Sequence, residues 1–569
     1  MKRKQVTKWI LVLGLVSAAL CRLPSQSDVA LAGPGVLVSS LVGSDPSRWR
    51  IVRVHRSAQA TELAYGTFFG GSSVDSSHDI LLDADGNTYV AGKTNSADFP
   101  VLDAMQPVIA GDYDAFVAKF DPAGELVFCT FIGGSGEDFA SSVAVDSTGN
   151  IYVAGHTKSN DFPTLNAMQP TFGGGEQTGD GFVAKLNAEG TGFVYSTYIG
   201  GGEADRVEGM AVDIYGSAYV TGSTAGAGFP TRDAWQTHFG GGASDAFASK
   251  LDPQGLLLYS TFLGGSSADS GYDIVVNELI HAYVAGSTFS SDFPVANSLQ
   301  ASSATPENSD ATVVELDPTG GELLFATYFG GDGYDRAVAL AVDGSDNIYV
   351  AGITSSSVFP DGVEFPSPGA FQSTYGGIGE GDHPSQGGDA FLWVINRNQQ
   401  GASIAYGTFL GGSDSDHATA LALDRECSIY LTGHTESHDF PLADPLQANL
   451  GGERAAFVAR AKQCEPGSLE FTPLTYYGGS GSDKGKGIAV GSPGEILVTG
   501  STDSTDLATT GDAYDATHNG QSDAFMARLV ADAVAPTVTP TPTAVPTVTP
   551  TPPAVWRLIL PVVLKAEGM

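Results

Sequence analysis

Cationic residues are scarce in this chain. Its 569 residues hold only 27 Lys and Arg against 64 Asp and Glu, for a net charge of −37. That balance argues against nucleic acid or an anionic membrane surface as a partner and fits cations or basic protein surfaces. Long apolar runs are also lacking. The most apolar N-terminal stretch, Trp9 to Leu20, follows Lys2, Arg3, Lys4 and Lys8. It is too short to span a bilayer and reads as a secretory signal, assigned to residues 1–32. Cysteine is limited to four residues with no CxxC pair. HExxH, GxSxG and Walker motifs are absent, so no metalloprotease, hydrolase-elbow or phosphate-loop chemistry announces itself.

Glycine, at 73 residues, is abundant. Fourteen of them fall in one pattern repeated seven times: an aromatic or apolar pair, Gly-Gly, and Asp four residues after the second glycine. The first glycines are Gly70, Gly133, Gly200, Gly264, Gly330, Gly411 and Gly478, spaced by 63, 67, 64, 66, 81 and 67 residues. The acids are Asp75, Asp138, Asp205, Asp269, Asp335, Asp416 and Asp483. A fixed period means one supersecondary unit stacked repeatedly.

Each unit predicts four strands. Strand A (Ser142 to Asp146) turns into strand B (Ile151 to Gly155) through Asp/Gly/Asn residues, as a hairpin does. Strand C is typified by Asp114 to Lys119, and strand D by Leu126 to Phe131, with a Thr in every copy of D. Between B and C runs Phe-Pro and, seven residues after the Phe in five copies, Gln. This segment is expected to be an ordered cap whose Gln bonds local backbone. Four strands make one blade, and blades pack face to face around an axis. The fold class is therefore all-β: a single seven-bladed β-propeller of four-stranded antiparallel blades. The chain enters on a D strand (Leu63 to Phe69) and leaves on a C strand (Asp523 to Leu529), so these ends are expected to share one blade and close the ring.

These blocks, in the order DAFVAK, LVFCTF-I-GG, SVAVD, GNIYVAG and DFP, resemble the bacterial seven-bladed β-propeller repeat (SBBP repeat) family over roughly residues 63–530. The seventh copy departs with Asp506-Leu507-Ala508, and the fifth carries an insertion. What the resemblance implies is structural: a secreted or surface propeller, in a family mostly without assigned activity.

The organisation expected is a signal peptide (1–32), a lead segment (33–62), the propeller (63–530), a Thr/Pro-rich linker (531–555) and a short apolar tail (556–569). Cys21 leaves a lipid anchor as the alternative to soluble export. The seven repeated Asp residues could ring a Ca²⁺ site, but an Asp in every blade is better read as accepting backbone N–H groups in its own turn. Asp83-Ala84-Asp85-Gly86-Asn87 looks like a Ca²⁺ loop and is read as a hairpin turn. No cofactor or metal is assigned. The long fifth-blade loop, with Tyr375, Glu380, Asp382, His383 and Asp389, is the candidate binding loop, because long loops on rigid scaffolds carry function. Cys427 and Cys464, in neighbouring turns of the sixth unit, are expected to form a disulfide, and Cys129 to stay a buried thiol.

A catalytic centre would break the sevenfold pattern with unmatched polar residues on the inner strands. Those strands read as near-uniform Val, Ala, Leu and Ile. The expected function is therefore a monomeric secreted or cell-surface scaffold that binds an extracellular protein or glycan on the face bearing the caps and D–A turns. The alternative is a polysaccharide-active hydrolase or lyase. The opposite face, with short turns, is expected to offer little room for a pocket.

Overall fold

The computed structural model describes residues 61–531, apart from 175–177, 227, 361, 378–386, 399–400, 466–467 and 493. The signal, lead, linker and tail assignments therefore fall, but for their edges, outside the described residues. The regular elements are all strands, arranged as seven four-stranded antiparallel sheets. Blade one is Asp75–Leu82, Thr88–Thr94, Asp114–Phe120 and Leu126–Ile132, strands A to D from the axis outward. Blades two to six repeat it from Asp138, Asp205, Asp269, Asp335 and Asp416. Blade seven takes A, B and C from Asp483–Val490, Glu495–Thr502 and Asp523–Val530, and its D strand is Glu62–Phe69. The expected closure holds: Leu63 faces Leu529 and Phe69 faces Ala524.

The core shows why a blade cannot stand alone. It consists of seven clusters, each straddling one junction between adjacent blades. Phe128 and Val117 of blade one pack with Val143, Ile151 and Phe182 of blade two. The cluster holding Tyr65, Phe69 and Met526 joins blade seven to Phe116 and Phe131 of blade one. Apolar area is thus buried only when blades stack, and strand A is left as the inner edge of each sheet, facing the axis.

The B–C segment is the ordered cap expected. Leu102 pairs with Cys129 on strand D, and Gln106 N donates to Thr130 Oγ1 at 2.9 Å. Gln106 Oε1 accepts from Gly133 N at 3.2 Å, and its Nε2 donates to Asp114 at 2.7 Å. This explains the Thr in every D strand. The cap covers the outer sheet edge that would otherwise be open to other chains. In blade seven Leu507, buried, fills the Phe position, and Asp506 accepts from Ser480 N as Asp98 does from Ser72 N.

Gly-Gly has a steric origin. A Cβ on Gly70 would lie 2.7 Å from Asp523 Oδ1 and 3.0 Å from Asp75 Oδ2, and one on Gly71 would lie 2.6 Å from Ser96 Cβ. Two buried carboxylates from neighbouring blades thus flank the first glycine.

Candidate functional site: the central channel

All seven repeated Asp residues are structural. Each is buried, and its Oδ2 accepts the N–H of the second glycine of its turn, for example Gly71 N to Asp75 at 2.7 Å and Gly412 N to Asp416 at 2.7 Å. The same bond recurs at Asp138, Asp205, Asp269, Asp335 and Asp483. Burial raises these carboxyls, to about 6 at Asp75 and to about 8 at Asp416, although hydrogen bonds pull the other way. Asp83 likewise accepts from Asp85 N and Asn87 N in its own hairpin turn. Among the described residues, no group of three or more His, Cys, Asp or Glu is placed to hold a metal ion.

The fifth-blade candidates divide. Glu380, Asp382 and His383 lie outside the described residues. Tyr375 and Asp389 correct the expectation of a binding loop. Tyr375 packs into the junction cluster, 5.8 Å from the Phe409 ring. Asp389 is fully buried, accepting from Gln372 Nε2 at 3.2 Å and Gly376 N at 2.7 Å. Of the added residues, Phe365 is buried against Gly407 on strand D, so part of the insertion is core. Of the two cysteines expected to bridge, one side chain is described. Cys427 is a free, exposed thiol at a left-handed turn position, φ 60°, with Asp343 of blade five among its electrostatic neighbours. The side chain of Cys464 lies outside the described residues. Cys129 is buried and free, as expected.

The inner strands overturn the expectation of uniformity. Every A strand bulges three residues after its Asp, so that one residue drops out of register with strand B. The bulged residues are His78, Ser141, Glu208, Tyr272, Val338, Thr419 and Lys486, seven different residue types. All seven line one axial cavity of about 280 Å³. The repeat keeps its Asp in every blade and varies the side chain facing the axis.

The channel is electrostatically divided. Lys486 Nζ donates to Ser76 Oγ at 2.6 Å. Burial, then the nearby ammonium groups of Lys93 and Lys484, push it down to about 7. His78 Nδ1 lies 2.9 Å from Ala140 O. A carbonyl only accepts, so Nδ1 carries the proton and Nε2 is left as an acceptor. Burial, then Lys486, hold this imidazole well below its usual range. Across the axis stand Glu208, its carboxyl raised by burial, and Tyr272. Asp79 and Asp273 are engaged as staples to the next blade, accepting from Val143 N and Leu340 N, each at 2.8 Å. Gly209 and Gly487 make room for them: a Cβ there would come within 2.8 Å of Asp273 Cα and 3.0 Å of Asp79 Cα.

The cap-side mouth carries more unpaired cations. Lys93, Arg206 and Lys484 have no carboxylate within 4.0 Å among the described residues, whereas Lys158 and Arg454 at the same rim pair with Glu137 and Glu436. Lys93 lies 4.2 Å over the Phe139 ring. His156 and His434 also face this level. Burial holds His156 down to about 3 and His434 well below its ordinary value. The opposite face corrects a further expectation: a cleft of about 590 Å³ lies among the A–B turns of blades one, six and seven, lined by Leu82, Asp83, Leu423, Asp424, Val490 and Glu495.

Fold and site together define a seven-bladed β-propeller with a polar, asymmetric axial channel. The family model described as the SBBP beta-propeller repeat matches residues 65–100, 130–163, 194–230 and 324–360, so the chain carries SBBP repeats. It is similar to the regulatory protein FlaEY of Caulobacter vibrioides, 24% identical over 364 residues, covering 62% of this chain and 36% of that one. The chain thus spans little more than a third of that relative. Among solved structures, a protein of unknown function from Dyadobacter fermentans matches with a TM-score of 0.38 and 8% identity, over 83% of this chain and 99% of that one. The quinohemoprotein alcohol dehydrogenase ADHIIG of Pseudomonas putida matches with a TM-score of 0.35 and 11% identity, over 87% and 79%.

Proposed function

We propose that this protein is a secreted or cell-surface binding scaffold, acting as a monomeric ring, and that its ligand enters the axial channel from the cap face. The observation that carries this reading is the contrast within strand A. Asp, which holds the fold, is the same in all seven blades, while the bulged residue three positions on differs in every one and faces a shared cavity. A scaffold under packing constraints alone has no physical need for seven different side chains around a shared axial cavity. Clustered groups with shifted ionisation in a cavity are the usual mark of a site.

The Caulobacter relative is named a regulatory protein, which accords with recognition rather than chemistry. A hydrolase or lyase acting on polysaccharide is the second reading, favoured by Glu208, whose raised carboxyl suits a proton donor. It lacks a free second carboxylate, because Asp79 and Asp273 are committed to backbone N–H groups. The test is a glycan and protein array probed with the purified ring and with the Glu208→Gln/Tyr272→Phe double variant. A hit that weakens in the double variant supports channel binding. Hits that are indifferent to it place recognition elsewhere. Turnover of a bound polysaccharide would favour the second reading.

A further inference from the structure

Four features of the channel bear on what it can hold. Its intruding cation, Lys486, has no carboxylate within 4.0 Å among the described residues, and its one hydrogen bond among them is to the Ser76 hydroxyl, which leaves ammonium protons for a ligand. Lys93 and Lys484 reinforce it at the mouth. His78 presents Nε2 as an acceptor, and Glu208 presents a carboxylate with no side-chain hydrogen bond among the described residues; both suit hydroxyl donors. Tyr272, its hydroxyl 3.2 Å from Ser287 Oγ, supplies a ring wall. Asp79 and Asp273 are already engaged and offer little to a ligand.

A donor cation with the His78 acceptor beside it, and the Glu208 carboxylate across the axis, do not match a bare inorganic anion, which has few hydroxyl donors for His78 Nε2 and would be repelled by Glu208. They match a molecule with one carboxylate and several hydroxyls. A cavity of about 280 Å³ lies at the small end of ligand sites, which commonly span about 300–1,000 Å³, so it suits a single ring rather than a chain.

Resting on the channel reading above, we propose that the channel binds one unit of an acidic saccharide, its carboxylate against Lys486 and its hydroxyls donating to His78 Nε2 and Glu208. The overall charge of −37 does not oppose this, because a cationic mouth set in an acidic surface focuses its field locally.

The experiment is calorimetric titration of the full chain with galacturonate, galactose and inorganic phosphate. Galacturonate is expected to bind at least tenfold more tightly than galactose or phosphate, and to weaken as salt is added. Lys486→Met should erase the preference over galactose, and Lys486→Arg should keep most of it. Melting curves of both variants establish that they fold. The proposal is overturned if none of the three binds at 10 mM-scale concentration (on the order of the weakest useful affinities), if phosphate binds as well as galacturonate, or if Lys486→Met leaves galacturonate binding unchanged. Galactose binding that depends on Glu208 but not on Lys486 would overturn the acidic ligand while leaving the channel as the site. Binding indifferent to Lys486, Glu208 and Tyr272 alike would remove both.

Discussion

Lys486 on the last inner strand donates its ammonium hydrogen bond to Ser76 on the first, at 2.6 Å across the junction that closes the ring. The bond joins residues 410 positions apart in the chain, and it does so with a charge held in a largely buried setting. Such a charge costs stability unless it is compensated. Here the partner is a neutral hydroxyl, and the nearest charges are of the same sign. Its retention in the channel therefore points to use rather than to folding.

The first prediction follows from that cost. The folded pKa of Lys486, about 7, lies below its ordinary 10.5, so the native state binds fewer protons than the unfolded chain between these values. The penalty is fully present below about pH 7 and fades as pH rises towards 10. Lys486→Met is expected to raise stability by about 1 kcal/mol or more at pH 7, after the smaller loss of the Ser76 bond, with the gain shrinking at pH 10. Urea denaturation of both proteins at the two pH values measures it. A variant less stable than wild type at pH 7 would contradict the argument.

Ring closure gives the second. Removing residues 1–69 deletes the strand paired with Asp523–Val530 and takes Tyr65, Phe68 and Phe69 from two junction clusters. Each buried aromatic costs about 3–5 kcal/mol when truncated, and the loss bares a sheet edge. The shortened chain is expected to aggregate or to melt at least 10 °C lower by calorimetry (roughly the effect of several kcal/mol). Unchanged melting would mean that the closure does not bear on stability.

Closure was legible because it depends only on the phase of the repeat at its two ends, and the caps because Phe, Gln and Thr recur at fixed spacing. The channel was not, although its signal was present. Period-two alternation holds only in the second half of strand A, typified by Val143 to Val145. The bulge lies in the other half, and the residue it takes out of register with strand B is the one that faces the axis. The mark of the bulge is the glycine inside every B strand. A Cβ on Gly92 would come within 2.0 Å of Ser76 O, and one on Gly155 within 1.9 Å of Phe139 O, because the bulged strand presses its backbone there. A glycine repeated in a strand interior signals such an approach. Read that way, it leads to His78, Glu208 and Lys486 from sequence alone.

The cysteines provide a third prediction. Cys427 is exposed and should react with a thiol reagent in the native ring. Its rate should be modest, because burial and the charges of Asp343 and Asp424 raise its pKa and so reduce the thiolate. Cys129, fully buried in a junction cluster, should react only after unfolding. Timed labelling followed by peptide mapping distinguishes them. A Cys427 that stays unlabelled until a reductant is added would restore the bridge to Cys464.

The final prediction concerns pH and the buried carboxyls. Asp75, Asp138, Asp205 and Asp269 are raised to about 6, Asp335 to about 7 and Asp416 to about 8, burial being the largest cause in each. Their partners across the junction glycines behave alike, Asp180, Asp245 and Asp310 at about 6 and Asp389 at about 7. A carboxyl whose folded pKa exceeds its unfolded value of 3.8 makes the native state bind more protons between the two. Stability therefore falls as pH rises through this window and recovers as pH is lowered towards about 4. Three sets of groups oppose the trend. Lys486, held at about 7, gives back its penalty only gradually as pH rises above that value. His78, His156 and His434, buried neutral, lose stability on acidification below 6.5, and turn residues such as Asp83 and Asp146, held low by their hydrogen bonds, lose it below 3.8. The histidines are outnumbered by the raised carboxyls, and the turn residues act only at lower pH. The melting temperature is accordingly expected to be higher at pH 5.5 than at pH 8. Asp416→Asn should flatten the upper part of that slope, since the amide oxygen can still accept from Gly412 N without carrying a charge. Calorimetric scans of both proteins across this range test it; a wild-type melting temperature that drops steadily from pH 8 to 5.5 would show that the junction carboxyls stay ionised in the fold.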